Sequence, residues 1–300
     1  MVVDIDSAIR LKAFEWLKEQ KAIHGDVLPR DLLRAGFEFE GEHIPLIPPQ
    51  GIFKPRYVDL PLSITTAPNG PYPDRLGPDY LMYRYRGSDP NHRDNVGLRE
   101  AMKRGKPLVY LFGHAPGRYE AVWPVFIVGD DPASLTFKVT VDDIGIMPTL
   151  AAGTAVSEAA VGRRAYITAI VRRRLHQRGF RERVLHAYRQ RCSLCRLRHY
   201  ELLDAAHIIP DPEPEGLPTV RNGIALCKLH HAAFDGMLLG ITPDYTVDIR
   251  ADILDESDGP ILQHGLKELH SARIILPRDR QSWPDREGLD LRYQRFKLAI

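Results

Sequence analysis

The spacing of hydrophobic and polar positions changes along the chain, and each change predicts a different kind of structure. Residues 5–23 place Ile9, Phe14 and Leu17 at helical spacing and stop shortly before a glycine, so they predict an amphipathic helix. From residue 44 to residue 128, short runs of aromatic and β-branched residues, interrupted by proline and glycine, predict many strands. The clearest strands are YLMYRYRG, KPLVYLFG and VWPVFIV, and a short helix is predicted at NVGLREAMKRG.

The second half of the chain has a different order of patterns. Small residues and prolines from 148 to 162 predict a linker, which is followed by an arginine-rich helix and by a second helix from Phe180 to about Gln190. Strand, loop, strand and helix are then predicted, in this order, for ELLDAAHII, PDPEPEGLP, NGIALC and HHAAFDGML. We therefore expect an α+β protein with a curved, β-barrel-like domain over residues 1–147 and a second domain over residues 163–300.

Length and composition limit the class of protein. The 300 residues are 44% hydrophobic, which is ordinary for a globular chain of two domains. No apolar run is as long as a membrane span, and the N-terminus carries acids where a signal peptide carries bases. A cytoplasmic protein without a membrane partner is expected.

Charge is distributed unevenly, although the net charge is only +2. Residues 160–200 contain twelve arginines and one acid, Glu182. A solvated helix face normally mixes both signs, so this block favours a nucleic-acid partner, whose phosphates fit arginine forks. The polar loop RGSDPNHRDN is a second candidate for phosphate contacts. The expected contacts to the DNA backbone are Arg93, Arg172, Arg173 and Arg174.

Three cysteines and one histidine have the spacing of zinc ligands. Cys192 and Cys195 form a C-x2-C pair, Cys227 and His230 form a C-x2-H pair, and each pair can fill two corners of a tetrahedron. Free or redox-active thiols are the alternative, whereas an odd number of cysteines argues against a disulfide framework. Because four protein ligands leave no open position, we expect a structural zinc. His231 follows directly but points about 100° away on a helix, toward a different site.

His207, Asn222 and His231 lie between and beside the two pairs of zinc ligands. His231 and Asp235 are four residues apart, so they share one face of the predicted helix. Roughly residues 180–245 resemble the ββα-metal fold of the HNH endonucleases, in the zinc-containing branch. The resemblance is carried by the order strand, loop, strand and helix, together with His207, Asn222 and His231. The resemblance implies that His207 is the general base, that Asn222 orients it by bonding nearby backbone, and that His231 binds a catalytic divalent ion. Phosphodiester hydrolysis needs the activated water and the counter-charge that such groups supply.

This chain departs from the family pattern at Ala206, where many members place an acidic or histidine metal ligand. The further ligand is then expected to be Asp235, because it shares a helix face with His231. Asp204 is the alternative, but on a flat strand it points away from His207 and can instead bond backbone or an arginine. Oxygen ligation implies magnesium or manganese, and a histidine ligand also admits nickel or cobalt.

The predicted β domain contains the segments PQGIFKPR, PLSITTAP, YPDR, YRYRG and GLREAMKRGKPLVYLFG. In this order they resemble the SRA domains, members of the PUA-like superfamily that flip a modified cytosine out of duplex DNA, over about residues 45–130. The resemblance implies that Tyr72 and Tyr85 clamp the flipped base and that Asp74 accepts a hydrogen bond from its amino edge. Asp74 follows Tyr72 by two residues where three are expected. The alternative for aromatic residues at alternating strand positions is a place in the core.

Together these features predict a modification-dependent DNA endonuclease similar to the SRA-HNH, or McrA-like, restriction enzymes. Its partner would be double-stranded DNA with a modified cytosine, and we expect a homodimer because one active site cuts one strand. Two alternatives stay open: an HNH nicking or sequence-reading endonuclease without modification dependence, and a non-catalytic, zinc-containing DNA-binding protein.

Overall fold

A computed structural model describes residues 4–48, 51–68, 80–142, 158–211, 213–257 and 259–299. The chain divides into two compact units, Met1–His176 and Gln177–Ile300. Tyr72, Asp74 and most of the predicted linker lie outside the described residues. Residues 158–162, the end of that linker, are already helical.

The first unit is a mixed α/β structure built on one sheet. Its helices are α1 (Ile5–His24), α2 (Arg30–Ala35) and α3 (Arg93–Lys103), and it also contains the first part of α4 (Glu158–Ala187). Its strands are β1 (Val27–Pro29), β2 (Phe37–Phe39), β3 (Glu42–Ile44), β4 (Ile52–Phe53), β5 (Ser63–Thr66), β6 (Leu81–Arg84), β7 (Leu108–Ala115), β8 (Arg118–Asp131) and β9 (Thr136–Val141).

Seven of these strands form a sheet that curls into half a barrel. Its order is β4-β5-β7-β8-β9-β6, with β1 paired to β8, and only β5 and β7 run parallel. Strand β7 is buried on both faces, because Val109 and Leu111 pack in one core cluster while Leu108 and Tyr110 pack in another. The helices and strands predicted most clearly from the sequence are therefore present, and the prediction of a curved β structure is confirmed at this level.

The second unit surrounds a two-stranded hairpin. Its helices are the remainder of α4, α5 (Lys228–Asp235), α6 (Ala251–Asp255), α7 (Pro260–Gly265) and α8 (Arg286–Leu298). Its strands are β10 (Leu203–His207), β11 (Gly223–Cys227), β12 (Leu239–Ile241) and β13 (Val247–Ile249). In the part of the chain that the structure describes, no helix is both long and apolar enough to cross a bilayer.

The hairpin β10–β11 places the zinc-ligand pattern and His207 at opposite ends. Leu203 pairs with Cys227 at one end, and His207 pairs with Gly223 at the other. Helix α4 packs so closely here that a Cβ on Gly223 would come within 2.4 Å of the Val184 side chain. The prediction of a separate helix beginning near Phe180 is wrong, because one continuous helix runs through that position.

Candidate active site and zinc centre

The four predicted zinc ligands meet in one cluster. Their ligand atoms, three sulfurs and one imidazole nitrogen, all lie within 4.8 Å of one another. The sulfurs of Cys195 and Cys227 are 3.9 Å apart, and a tetrahedron with Zn–S bonds of about 2.3 Å requires about 3.8 Å. The donor set and its spacing therefore fit zinc. Within the described residues it is the one such group of three or more candidate ligands.

The orientation of His230 suits metal binding. Its Nε2 lies 2.7 Å from the carbonyl oxygen of Gly265, so Nε2 carries the proton and donates it there. Nδ1 then faces the sulfurs of Cys192 and Cys227, at 3.3 and 3.2 Å. Burial lowers the pKa of His230, but hydrogen bonds with Cys195 and Cys227 outweigh it and raise that pKa to about 10. The cysteine sulfurs thus favour positive charge at this site, and a bound metal ion would supply that charge.

His207 ends strand β10 and is held by a stacked aromatic ring. The ring centroids of His207 and Phe180 are 3.9 Å apart, with 14° between the planes. Its Nε2 is buried without a hydrogen-bond partner, whereas the residue as a whole is half-buried and lines a cavity. Burial lowers the pKa of His207, and the imidazole is therefore neutral at pH 7, as a general base must be.

Asn222 joins the two sides of the loop that follows His207. Its Oδ1 accepts a hydrogen bond from the Ile209 N–H at 2.8 Å, and its Nδ2 donates to the carbonyl oxygens of Ile209 and Leu217, both at 3.0 Å. The Asn222 backbone carbonyl also accepts from the Ile208 N–H. This buried amide thus fixes the backbone immediately after His207.

His231 lies between two carboxylates on helix α5 and strand β10. Its Nε2 is 3.2 Å from Oδ2 of Asp235, and its Nδ1 is 3.3 Å from Oδ2 of Asp204. The hydrogen bond with Asp204 raises the pKa of His231 despite its burial. Adjacent ligands of an octahedral ion with bonds of about 2.1 Å are about 3.0 Å apart. The His231–Asp235 pair therefore fits two neighbouring positions on a divalent ion.

The structure assigns Asp204 a contact that the sequence did not suggest. Its Oδ1 accepts from the Ala205 N–H and lies 3.6 Å from Nε of Arg181, as the alternative of a backbone or arginine partner predicts. Its other oxygen, Oδ2, contacts Nδ1 of His231, so Asp204 orients that imidazole through the nitrogen that does not face Asp235. Asp204 does not line the cavity.

His207, His231 and Asp235 line one cavity of about 450 Å³. Arg292 and Arg295, both from helix α8, are also among its lining residues. Neither arginine was predicted, because they follow the zinc pattern by more than sixty residues and belong to a helix with no recognisable motif. Phe180 was missed as a site residue for a similar reason, since its apolar side chain indicates only core packing.

The arginine block has several structural members. Arg181 donates to the backbone carbonyls of Tyr200 and Leu203, and Arg183 donates to that of Pro218. Arg164 forms an ion pair with the buried carboxylate of Asp142. These three side chains stabilise the protein itself, so only part of the block is available to DNA.

The arginines predicted to contact the DNA backbone lie in different surroundings. Arg93 is 82% exposed, with Nε 3.7 Å from a carboxylate oxygen of Asp94. Arg174 is exposed on α4. Arg172 and Arg173 belong to the same helix, but their side chains lie outside the described part of the structure.

Tyr85, the described residue of the predicted base pocket, lies in the core of the first unit. Its side chain is buried, with 4% of the residue exposed, and its ring stacks on Phe137 at a centroid distance of 4.5 Å. Its hydroxyl donates to Asp130 and accepts from Arg99. Tyr85 thus packs in the core, as the alternative for alternating aromatic residues predicts, and its assignment to a base pocket stays a prediction.

Comparison with known proteins identifies the second unit more closely. The model of the HNH endonuclease family matches residues 192–242, which include all four zinc ligands, His207, Asn222, His231 and Asp235. No curated protein matches the chain. A solved structure, "Modification dependent TagI restriction endonuclease", aligns with 79% of this chain and 81% of its own, at 18% identity and a TM-score of 0.30. Residues 192–242 are an HNH endonuclease domain, and the protein that carries it is a DNA-cleaving hydrolase.

Proposed function

We propose that the protein is a modification-dependent DNA endonuclease in which His207 is the general base. The observation that carries the catalytic part is a single cavity lined by the neutral His207 and by the His231–Asp235 pair. Such a cavity brings a base and a site for a divalent ion to the same phosphodiester.

In this proposal each residue has a separate task. His207 takes a proton from water through Nδ1, while Phe180 and Asn222 keep its ring and backbone in place. Nε2 of His231 and Oδ2 of Asp235 would hold magnesium or manganese, which when bound stabilises the negative charge that develops on the phosphate and leaving oxygens. Oδ2 of Asp204 accepts a hydrogen bond from Nδ1–H of His231, which leaves Nε2 as the nitrogen that can bind a metal ion.

Double-stranded DNA is the proposed partner. Besides Arg93 and Arg174, the segment around the zinc ligands exposes Arg189, Arg196 and Arg198. Arginine side chains at a nuclease surface favour sequence-independent contacts to phosphates. We further propose a homodimer, because each site cuts one strand. Light scattering tests this, and a monomer that makes concerted double-strand breaks would contradict it.

The proposed sensing of a modified cytosine rests on the sequence resemblance to SRA domains, within residues 1–147. The curled sheet of the first unit is compatible with that family. Tyr72 and Asp74 stay candidates for stacking on the flipped base and bonding its amino edge, and Tyr85, which is buried in this structure, would have to become exposed to stack on it. In this proposal, residues 148–162 link the base-sensing domain, residues 1–147, to the nuclease domain, residues 163–300.

Plasmids of one sequence that carry cytosine, 5-methylcytosine or 5-hydroxymethylcytosine test the proposal, with magnesium or manganese present. Cleavage of modified DNA alone supports it. Equal cleavage of all three would keep the nuclease and contradict base sensing. Binding of DNA without metal-dependent cleavage would contradict catalysis at this site.

A further inference from the structure

Helix α8 places a buried arginine in the wall of the cavity that His207, His231 and Asp235 also line. Arg292 is only 6% exposed, and its guanidinium lies over the ring of Phe234, 4.0 Å from the centroid. Burying a charge of this kind is costly unless it is hydrogen-bonded. The hydrogen bonds of the guanidinium therefore show which parts of the site the buried charge stabilises.

The guanidinium contacts the two elements that carry the proposed base and metal ligands. Nη1 donates to the carbonyl oxygen of Ile208, the residue after His207, at 3.4 Å. Nη2 donates to the carbonyl oxygen of Phe234, in the last turn of α5, at 2.9 Å. A single side chain thus bridges the end of β10 and the end of α5.

The third acceptor is the carboxylate of Asp235. Nη2 of Arg292 is 3.2 Å from Oδ1 of Asp235, while the other oxygen, Oδ2, is 3.2 Å from Nε2 of His231. The Asp235 side chain is 57% exposed, and an exposed carboxylate is otherwise free to rotate. With one oxygen held by Arg292, the second is kept beside the imidazole.

Helix α8 is itself held in place by close packing and by side-chain hydrogen bonds to other parts of the second unit. A Cβ on Gly240 of β12 would come within 2.6 Å of the Phe296 ring, which shows how closely the helix packs there. Tyr293 donates to Asp248 at 2.7 Å, and Arg295 forms a two-pronged ion pair with Glu213 at 2.7 and 2.8 Å. Arg292 is therefore presented from a helix with its own anchors on either side.

We propose that Arg292 is a positioning residue for the metal ligand Asp235, which makes helix α8 part of the active site although it lies outside the matched HNH segment. The inference rests on the proposed function, in which Asp235 binds the divalent ion. Lysine can replace this group only in part, because its ammonium keeps the charge but lacks the planar fork that serves several acceptors at once.

Direct binding of Mn²⁺ to the zinc-loaded, full-length protein tests the proposal, with free Mn²⁺ measured by electron paramagnetic resonance. Loss of a residue that orients a metal ligand typically weakens metal binding about 10–100-fold. We expect Arg292→Met to weaken Mn²⁺ binding by about tenfold or more, and Arg292→Lys to show a smaller loss. Arg286→Met is the matched control, because Arg286 belongs to the same helix but forms an exposed pair with Asp244.

A double-mutant cycle with Asp235→Asn separates positioning from general damage. If Arg292 acts through Asp235, Arg292→Met causes no further loss of Mn²⁺ affinity in the Asp235→Asn protein. An equal loss in both backgrounds, or wild-type affinity in both Arg292 variants, would overturn the proposal. Arg292→Lys, which keeps the charge, decides the question if Arg292→Met does not fold. If Asp235→Asn itself leaves Mn²⁺ binding unchanged, the assignment of the metal ligand fails instead, and with it the basis of the inference.

Discussion

The imidazole of His207 lies flat against the ring of Phe180, with 3.9 Å between the centroids. Stacking fixes the plane of the imidazole, and the buried surroundings lower its pKa. The same contact therefore sets both the direction and the protonation state of the proposed base. Phe180 lies outside the matched HNH segment, so this support comes from the arginine-rich helix.

The pH dependence of cleavage should reflect this lowered pKa. A general base acts in its deprotonated form, so the rate falls as His207 gains a proton on the acid side. Because its pKa lies below the ordinary value of about 6.5, we expect the half-maximal rate on the acid side to fall below pH 6.5 at saturating metal. Single-turnover rates measured from pH 5 to pH 8 test this, and a half-maximal rate above pH 6.5 would contradict it.

Replacement of Phe180 should change the pH profile as well as the stability. Phe180→Leu keeps an apolar side chain but removes the flat stack, which lets water approach the imidazole. We expect the pKa of His207 to rise toward its ordinary value, so the acid limb of the rate profile moves to higher pH. The cost in unfolding free energy should be about 1–3 kcal/mol. An unchanged profile in a folded, zinc-loaded variant would show that the stack does not tune the base.

The neighbouring histidines of α5 should separate the two metal functions. His230→Ala removes a zinc ligand, so we expect loss of bound zinc and a lower melting temperature of the second unit. His231→Ala should keep one zinc per chain and the wild-type fold but lose cleavage. Zinc content by atomic absorption, with thermal unfolding, checks both. Loss of zinc from the His231 variant would contradict the division of roles.

Asn222 should matter through its backbone bonds. Asn222→Asp keeps an acceptor for the Ile209 N–H but cannot donate to the carbonyl oxygens of Ile209 and Leu217. A lost donor in a buried network costs about 1–3 kcal/mol. We expect a lower melting temperature and slower cleavage, with zinc retained. A melting temperature equal to that of the wild type would contradict this role.

The sequence predicted what depends on local spacing. Cys192, Cys195, Cys227 and His230 form their cluster because each pair needs only one tight turn. The hairpin and helix that carry His207 and His231 follow from strand and helix patterns of ordinary length.

What the sequence missed depends on contacts between distant segments. Arg292 reaches Asp235 across 57 residues, and no local pattern marks it. Alternation on a strand showed that Tyr85 faces one side of the sheet, but could not show that this side is buried. Helix α4 continues through Gly179 and Phe180, because packing of Phe180 and Val184 in the core outweighs the weak helix propensity of glycine.

The measurement that tests the account most directly is cleavage of modified plasmid DNA by zinc-loaded His207→Ala. Its matched control is His199→Ala, since His199 is exposed and lies outside the cavity. We predict that the His207 variant binds zinc and DNA as the wild type does but loses about 100-fold or more in the single-turnover rate, as expected for a lost general base. The His199 variant should cleave normally. A His207 variant that cleaves at the wild-type rate would contradict the assignment of this residue as the base.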